Sequence, residues 1–434
     1  MQSKNDKLKL YICLAGLLAM FAIEVLSGRL LNEYIHTFWI AGFTLFLPYK
    51  SIIYLITFIV PLSSLFSHFA HVFLVVFIVI LLKKYVLQKH SVANMGLFFI
   101  VIFSLWEFLA YVNYGAATIN KILGYVTTIC LLFWVLYEKK HGNYKEHLRI
   151  YIFAVFVLCF LTLANTAIVY QGNWFADFLK GGMRLGGTAN SEFSETDVAL
   201  NANTVAYYSI VAISCYLSMW GLNKNTSLFI KIFEIVEVTL IAVVGMLTVS
   251  RSWLLLMAGI IALFYIGRLI EDKKKLNRNI PLLIGIFVII LVFSHSSFMQ
   301  NFAIRFSGES VETGGGRIDL LKKYFELFFA NPQYTIFGTG VTNYSSVLGT
   351  KISMHNGTQQ ILVCLGIPMA ILFLSSLLIP IYNAKEKKRT QIQNWLPLIA
   401  VIMFVQTIQF LNPNTFMLAY IVGLYSIKLQ TNKN

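Results

Sequence analysis

From Asn356 to Ile381 the chain reads NGTQQILVCLGIPMAILFLSSLLIPI, without one charged residue. An α-helix rises about 1.5 Å per residue and the hydrocarbon core of a bilayer is about 30 Å thick, so roughly 20 apolar residues cross it. This run is long enough to cross, and its reading is a membrane helix. Moving outward from it, apolar runs bounded by charged or turn residues recur at 9–27, 33–49, 51–66, 69–87, 92–112, 117–137 and 150–170, then at 203–220, 229–249, 252–270, 280–297, 394–411 and 414–428. With 356–381 they make fourteen expected spans. Pro48 and Lys50 interrupt one long tract and the last run is short, which widens the range to twelve to fourteen. The expected fold is all-α, a polytopic integral-membrane domain occupying residues 1–434, with no repeat or linker that would divide it.

Composition agrees. The 434 residues are 58% hydrophobic and 12% charged, against roughly 45–50% and about 25% in a soluble domain, which excludes a soluble enzyme. Lys and Arg outnumber Asp and Glu by 34 to 19. In a soluble protein that excess would suggest nucleic acid, but in a membrane protein it is cytoplasmic loop charge, so no nucleic-acid partner is expected. The five cysteines all lie in apolar stretches without metal-ligand or redox spacing and read as small buried hydrophobes. Lys4, Lys7 and Lys9 precede an apolar run from Leu10 that is too long for a signal peptide and lacks a small-residue cleavage site, so the first helix is expected to stay uncleaved.

Charge also orients the chain. With the N-terminus inside, Lys83-Lys84, Lys139-Lys140, Lys273-Lys274-Lys275 and the cluster from Lys385 to Arg389 all fall on the cytoplasmic side, as basic loop residues do. An even number of spans then places both termini in the cytoplasm of a multi-pass cell-membrane protein. Two long segments, 171–202 and 298–355, become external loops. The external face is where the active site is expected.

The segment 298–355 is the richer one. Gly314-Gly315-Gly316 precede Arg317, and from Arg317 to Phe329 the residues Leu321, Tyr324, Phe325 and Phe328 recur at helical spacing, an amphipathic helix suited to the membrane interface. Free backbone N–H groups at a helix start, together with an arginine fork, suit a phosphate. A glycine hinge with Arg317 on lipid phosphates is the plainer alternative. Arg251 stands between Ser250 and Ser252 and between two apolar runs. A charge at a helix centre costs about 2.5–3.5 kcal/mol, so Arg251 belongs at the outer surface or in a polar cavity, as a site residue or as a snorkelling turn residue. His355 stands at the mouth of the span that begins with Asn356. Neutral imidazole accepts a proton near pH 7, which makes it a candidate base, although a lone histidine is more often structural or solvated. Nothing has the spacing of a metal site, beyond a weak cation possibility at Glu192, Glu195 and Asp197, and no metal or cofactor is expected.

Across residues 200 to 380 these pieces occur in a familiar order. Asn203-Thr204-Val205-Ala206 opens a span. Ser250-Arg251-Ser252 precedes an apolar helix. Gly316-Arg317 is followed by Asn331-Pro332 and Phe337-Gly338-Thr339-Gly340, and His355-Asn356 by Leu365-Gly366-Ile367-Pro368. The chain resembles the Wzy-type O-antigen and capsular polysaccharide polymerases and the related O-antigen ligases, membrane glycosyltransferases of GT-C-like fold. Where that family more usually carries an arginine-rich stretch, this chain has Arg251 alone, and Arg184 from the first long segment is the candidate to join it. The resemblance implies a polymerase that joins undecaprenyl-diphosphate-linked oligosaccharide repeat units at the outer leaflet, with inversion and without a metal. It implies that Arg251 and Arg317 bind the donor diphosphate and that His355 is the base for the acceptor hydroxyl. Arg184, Arg305, Asn203 and Asn356 are the further substrate-binding candidates. Besides the lipid-linked donor and acceptor and the surrounding membrane lipids, a flippase and a chain-length regulator are the expected partners. A ligase or an oligosaccharyltransferase of the same superfamily is the nearest alternative. A lipid-linked oligosaccharide flippase is the alternative from another class. That rival calls for deep charges and broken helices in matching halves; Glu107 and Glu237 are the main deep charges, and no halves match.

Overall fold

A computed structural model of the protein describes residues 4–27, 33–63, 69–87, 94–115, 118–138, 143–169, 185, 201–220, 227–271, 317–349, 354–385, 391–411 and 416–429. Among these the chain forms α-helices and no strand. In order they are α1 (Lys4–Ser27), α2 (Glu33–Phe46), α3 (Tyr49–Leu62), α4 (Phe69–Leu81), α5 (Asn94–Tyr114), α6 (Ile119–Tyr137), α7 (Tyr144–Val169) and α8 (Ala202–Met219). There follow α9 (Leu228–Leu247), α10 (Arg251–Glu271), α11 (Arg317–Ala330), α12 (Pro332–Phe337), α13 (Tyr344–Val347), α14 (Gly357–Lys385), α15 (Leu396–Val405) and α16 (Ala419–Ile427).

Six of them, α1, α5, α6, α7, α10 and α14, are long and apolar enough to cross a membrane, and the chain is a multi-pass membrane protein. Shorter apolar helices cover 34–46, 49–62, 392–405 and 416–427. Of the fourteen expected runs, all fall on helices except 280–297, which lies outside the described residues. The short runs stay short for local reasons. Pro48 fixes the turn that ends α2 and starts α3, and α4 passes into a π-helical turn over Leu82–Leu87 from which Lys83 donates to the carbonyls of Leu45 and Leu47 at the end of α2. A lysine at a helix C-terminus satisfies carbonyls that have no partner within the helix.

The centre of the bundle is α3, α8 and α16, with the long α7 packed between them. Tyr207 and Tyr208 on α8 and Tyr425 on α16 are fully buried. Other faces point outward with apolar side chains, among them Phe98, Leu105 and Phe108 on α5 and Phe229, Ile232 and Ile235 on α9. Such surface would be an aggregation hazard in water; in hydrocarbon it is the ordinary solvent-facing side.

The two ends of the bundle differ in chemistry. One is ionic: Lys84 pairs with Glu138 at 2.6 Å, Lys7 with Glu146 at 3.2 Å and Arg149 with Glu234 at 2.8 Å, and Arg268 donates to the Trp220 carbonyl at the end of α8. At the opposite end amides and hydroxyls predominate, with Gln409 donating to the Tyr344 hydroxyl, Thr358 to Gln406 and Gln359 to the Leu321 carbonyl, beside one buried pair, His36 Nε2 with Glu24 Oε1 at 2.6 Å. Asn203, Arg251, His355 and Asn356 all stand at the start of helices that begin at this amide-rich end.

Within 298–355 the described residues pack back into the bundle. Helix α11 is the expected amphipathic helix; Tyr324 and Phe328 face inward, fully buried, while Phe329 is exposed. After it the chain re-enters the helices. Gly366 has φ 73° and ψ 166° and breaks α14 into two segments. Pro368, lacking an N–H, leaves the Cys364 carbonyl without its helical partner. That carbonyl accepts from Gly340 N at 2.9 Å, and the neighbouring Val363 carbonyl accepts from Thr339 N at 3.1 Å. Irregular backbone within a membrane domain persists where protein satisfies its polar groups, as these two bonds do.

Candidate functional site

Helix starts build the amide-rich end. Asn201 caps α8 by accepting from Asn203 N at 2.8 Å. Asn356 caps α14 by accepting from Gln359 N at 2.9 Å. Asn331 caps α12 by accepting from Gln333 N at 2.9 Å, with Pro332 in the first helical position. Asparagine and proline in these roles are local sequence effects. Long-range bonds gather the starts of α8, α10 and α14. Trp253 Nε1 on α10 donates to Ser209 Oγ on α8 at 2.8 Å. Tyr207 on α8 donates to the Phe416 carbonyl at 2.9 Å. Gln360 on α14 accepts from both Phe410 N and Leu411 N at 2.8 Å, so α8 is tied to residue 416, just before α16, and the first turn of α14 to residues 410 and 411, just after α15.

The turn into α10 is strained. Val249 has φ 49°, a left-handed conformation that is a genuine outlier for a β-branched residue and costs on the order of 1–3 kcal/mol. Its surroundings hold it there. Val249 N donates to the Met246 carbonyl, Leu185 N to the Leu247 carbonyl, and Thr248 Oγ1 to the Gly245 carbonyl at 2.6 Å. Gly245 is required where it stands, because a Cβ there would lie 2.5 Å from Trp253 Nε1 and 2.6 Å from Ser209 Oγ.

The expected site residues divide into three groups. Arg251 opens α10 and is half-buried, His355 immediately precedes the cap of α14 and is half-buried, and Asn203 is half-buried in the first turn of α8. Asn356 is half-buried and engaged on both sides, since its oxygen caps α14 and its nitrogen donates to the Gln406 carbonyl at 3.3 Å. Arg317 is the first residue of α11, and its side chain lies outside the described residues. Arg184 and Arg305 also lie outside them, as do Glu192, Glu195 and Asp197.

A residue that sequence reasoning noticed without finding its role is Glu107. It is 1% exposed, and its carboxylate accepts from Val341 N at 2.7 Å, Thr342 N at 2.9 Å and Thr342 Oγ1 at 2.5 Å. A buried carboxylate is tolerable when it is fully hydrogen-bonded, and removing it would strand the buried N–H of Val341 at about 1–3 kcal/mol and leave the half-buried N–H of Thr342 without this acceptor. On either side of it, Trp106 Nε1 donates to the Phe337 carbonyl and Tyr114 Oη to the Gly338 carbonyl. The acid in an apolar helix was a visible signal; its partners, 234 and 235 residues away, were not.

Helix N-termini carry partial positive charge, and Arg251 adds a full one at such an end, where an anion would be welcome and a cation is not. His355, partly accessible at the start of α14, is of the residue type that moves a proton near neutrality. Among the described residues no group of three or more His, Cys, Asp or Glu side chains is placed to hold a metal ion. No protein-family model matches the chain, and no curated protein matches it.

Proposed function

We propose that the chain is a polysaccharide polymerase that joins undecaprenyl-diphosphate-linked oligosaccharide repeat units at the outer leaflet, with the amide-rich end of the bundle facing outward. The observation that carries this reading is the gathering of the starts of α8, α10 and α14 at one end, with Arg251 and His355 on two of them, opposite the end where Lys7, Lys84, Arg149 and Arg268 are held. In the proposed reaction Arg251, with Arg317, binds the donor diphosphate. Guanidinium groups and helix ends stabilise the negative charge that develops on the leaving diphosphate. His355 removes the proton of the acceptor hydroxyl as its oxygen bonds to the anomeric carbon and the bond to the diphosphate breaks. About fourteen spans in a GT-C-like arrangement, cytoplasmic termini and external placement of 171–202 and 298–355 complete the reading. Asn203, Arg184 and Arg305 contact the substrate, while Asn356 serves it mainly through the cap of α14.

Transport is the reading that a broken helix near a buried acid would favour. Here both the acid and the break are filled by the re-entrant chain. Glu107 is occupied by residues 341 and 342, and the carbonyls freed at the break are occupied by residues 339 and 340, which leaves neither to coordinate a passing ion. The experiment for the transferase reading is His355→Ala beside His355→Gln in a reconstituted assay. Loss of the base should slow the chemical step by roughly 10²–10⁴-fold with donor binding retained. Full turnover by the glutamine variant would exclude the base role.

A further inference from the structure

The first segment of α14, from Gly357 to the break at Gly366, spans only about 14 Å and carries Asn356 and His355 at its mouth. Its far end is not held by its own helix. The carbonyls of Val363 and Cys364 are bound by Thr339 N and Gly340 N, so the re-entrant chain at 338–342 supplies the support that a continuous helix would have given. The seam is as close as backbone allows. A Cβ at Gly366 would lie 2.8 Å from Gly338 N, and one at Gly338 would lie 2.6 Å from Gly366 N. Gly340 is packed on the other side, where a Cβ would come within 2.7 Å of the Ala110 Cβ on α5. Trp106 and Tyr114 on α5 hold the carbonyls of Phe337 and Gly338, and the carboxylate of Glu107 fixes the next stretch to α5 by receiving two backbone N–H groups and one hydroxyl from residues 341 and 342.

We infer that Glu107 is a positioning residue: its carboxylate latches residues 338–342 between α5 and the break of α14, and thereby sets where the first turns of α14, with His355, stand. This rests on the polymerase reading only for its consequence in catalysis; the latch itself is a statement about structure. Glutamine in place of Glu107 keeps the shape, but its NH2 group turns a donor toward groups that are themselves donors.

The test uses the full-length protein in membranes and its native Cys364, whose carbonyl accepts from Gly340 N, the residue after Thr339. Thr339→Cys should form a disulfide with Cys364 on mild oxidation, and Cys364→Ser should abolish it. Adding Glu107→Gln should lower the cross-linking rate several-fold. In the polymerisation assay Glu107→Gln should reduce kcat by roughly 10–100-fold, the scale of a small misplacement of reacting groups, with the donor KM changed less than about threefold. Thr342→Ser, which keeps the hydroxyl, should behave as the parent, and Thr342→Val should fall between. If Glu107→Gln fails to accumulate, Thr342→Val reads the same latch. Cross-linking and turnover at parental rates in Glu107→Gln, or no cross-link even with Glu107 in place, would overturn the inference. A latch that controls cross-linking in a protein with no polymerising activity would sustain it and overturn the polymerase reading instead.

Discussion

Arg251 enters its helix through Val249, held at φ 49°, and stands half-buried where the backbone dipole is already positive. In the proposed reaction an anionic ligand at this point gains from the dipole and from the guanidinium together. If that ligand is a diphosphate, paired contacts distinguish the planar fork of arginine from the point charge of lysine. Arg251→Lys is therefore expected to accumulate normally and to lose most polymer formation, read as glycan length per lipid carrier. Normal length in that variant would reassign Arg251 to the surrounding lipid. The residue was legible in sequence because a charge between two apolar runs is conspicuous. The strain beside it was not, because nothing in Thr248-Val249-Ser250 marks a left-handed backbone; the glycine that would advertise one is at 245, where it serves the packing of Trp253.

Among elements, α14 and the re-entrant chain make the clearest case of what sequence can and cannot carry. Hydropathy located the run from Asn356 to Ile381, and the helical spacing of Leu321, Tyr324 and Phe328 located α11. Gly366 and Pro368 were visible as breakers. That the break is filled by Thr339 and Gly340 was not, because the pairing depends on backbone groups some 24 residues away and leaves no periodic mark. For the same reason the burial of Thr339, Asn343 and Met354 within the segment 298–355 left no mark in the sequence. Gly366→Ala tests the seam. Alanine is strained at φ 73°, and its Cβ would lie 2.6 Å from the Ile336 carbonyl carbon, so the re-entrant chain is expected to be driven out. A lower unfolding temperature and faster thiol labelling of Thr339→Cys are the expected signs. Unchanged values of both would mean that the seam is looser than its backbone contacts imply.

For the molecule as a whole, the separation of an ionic end from an amide-rich end gives the orientation proposal a structural counterpart. Ser346 is exposed on the amide-rich side and Asn143 on the ionic side. In intact cells, cysteine at 346 should react with an impermeant reagent and cysteine at 143 only after lysis; the reverse pattern would invert the protein and remove the case for external chemistry. Catalysis itself is tested most directly with the complete chain in liposomes supplied with undecaprenyl-diphosphate-linked repeat units, reading glycan length on the lipid carrier over time. A ladder of products, each longer by one repeat and dependent on the protein, is the expected result. Passage of the lipid-linked units between leaflets with no increase in glycan length would contradict it.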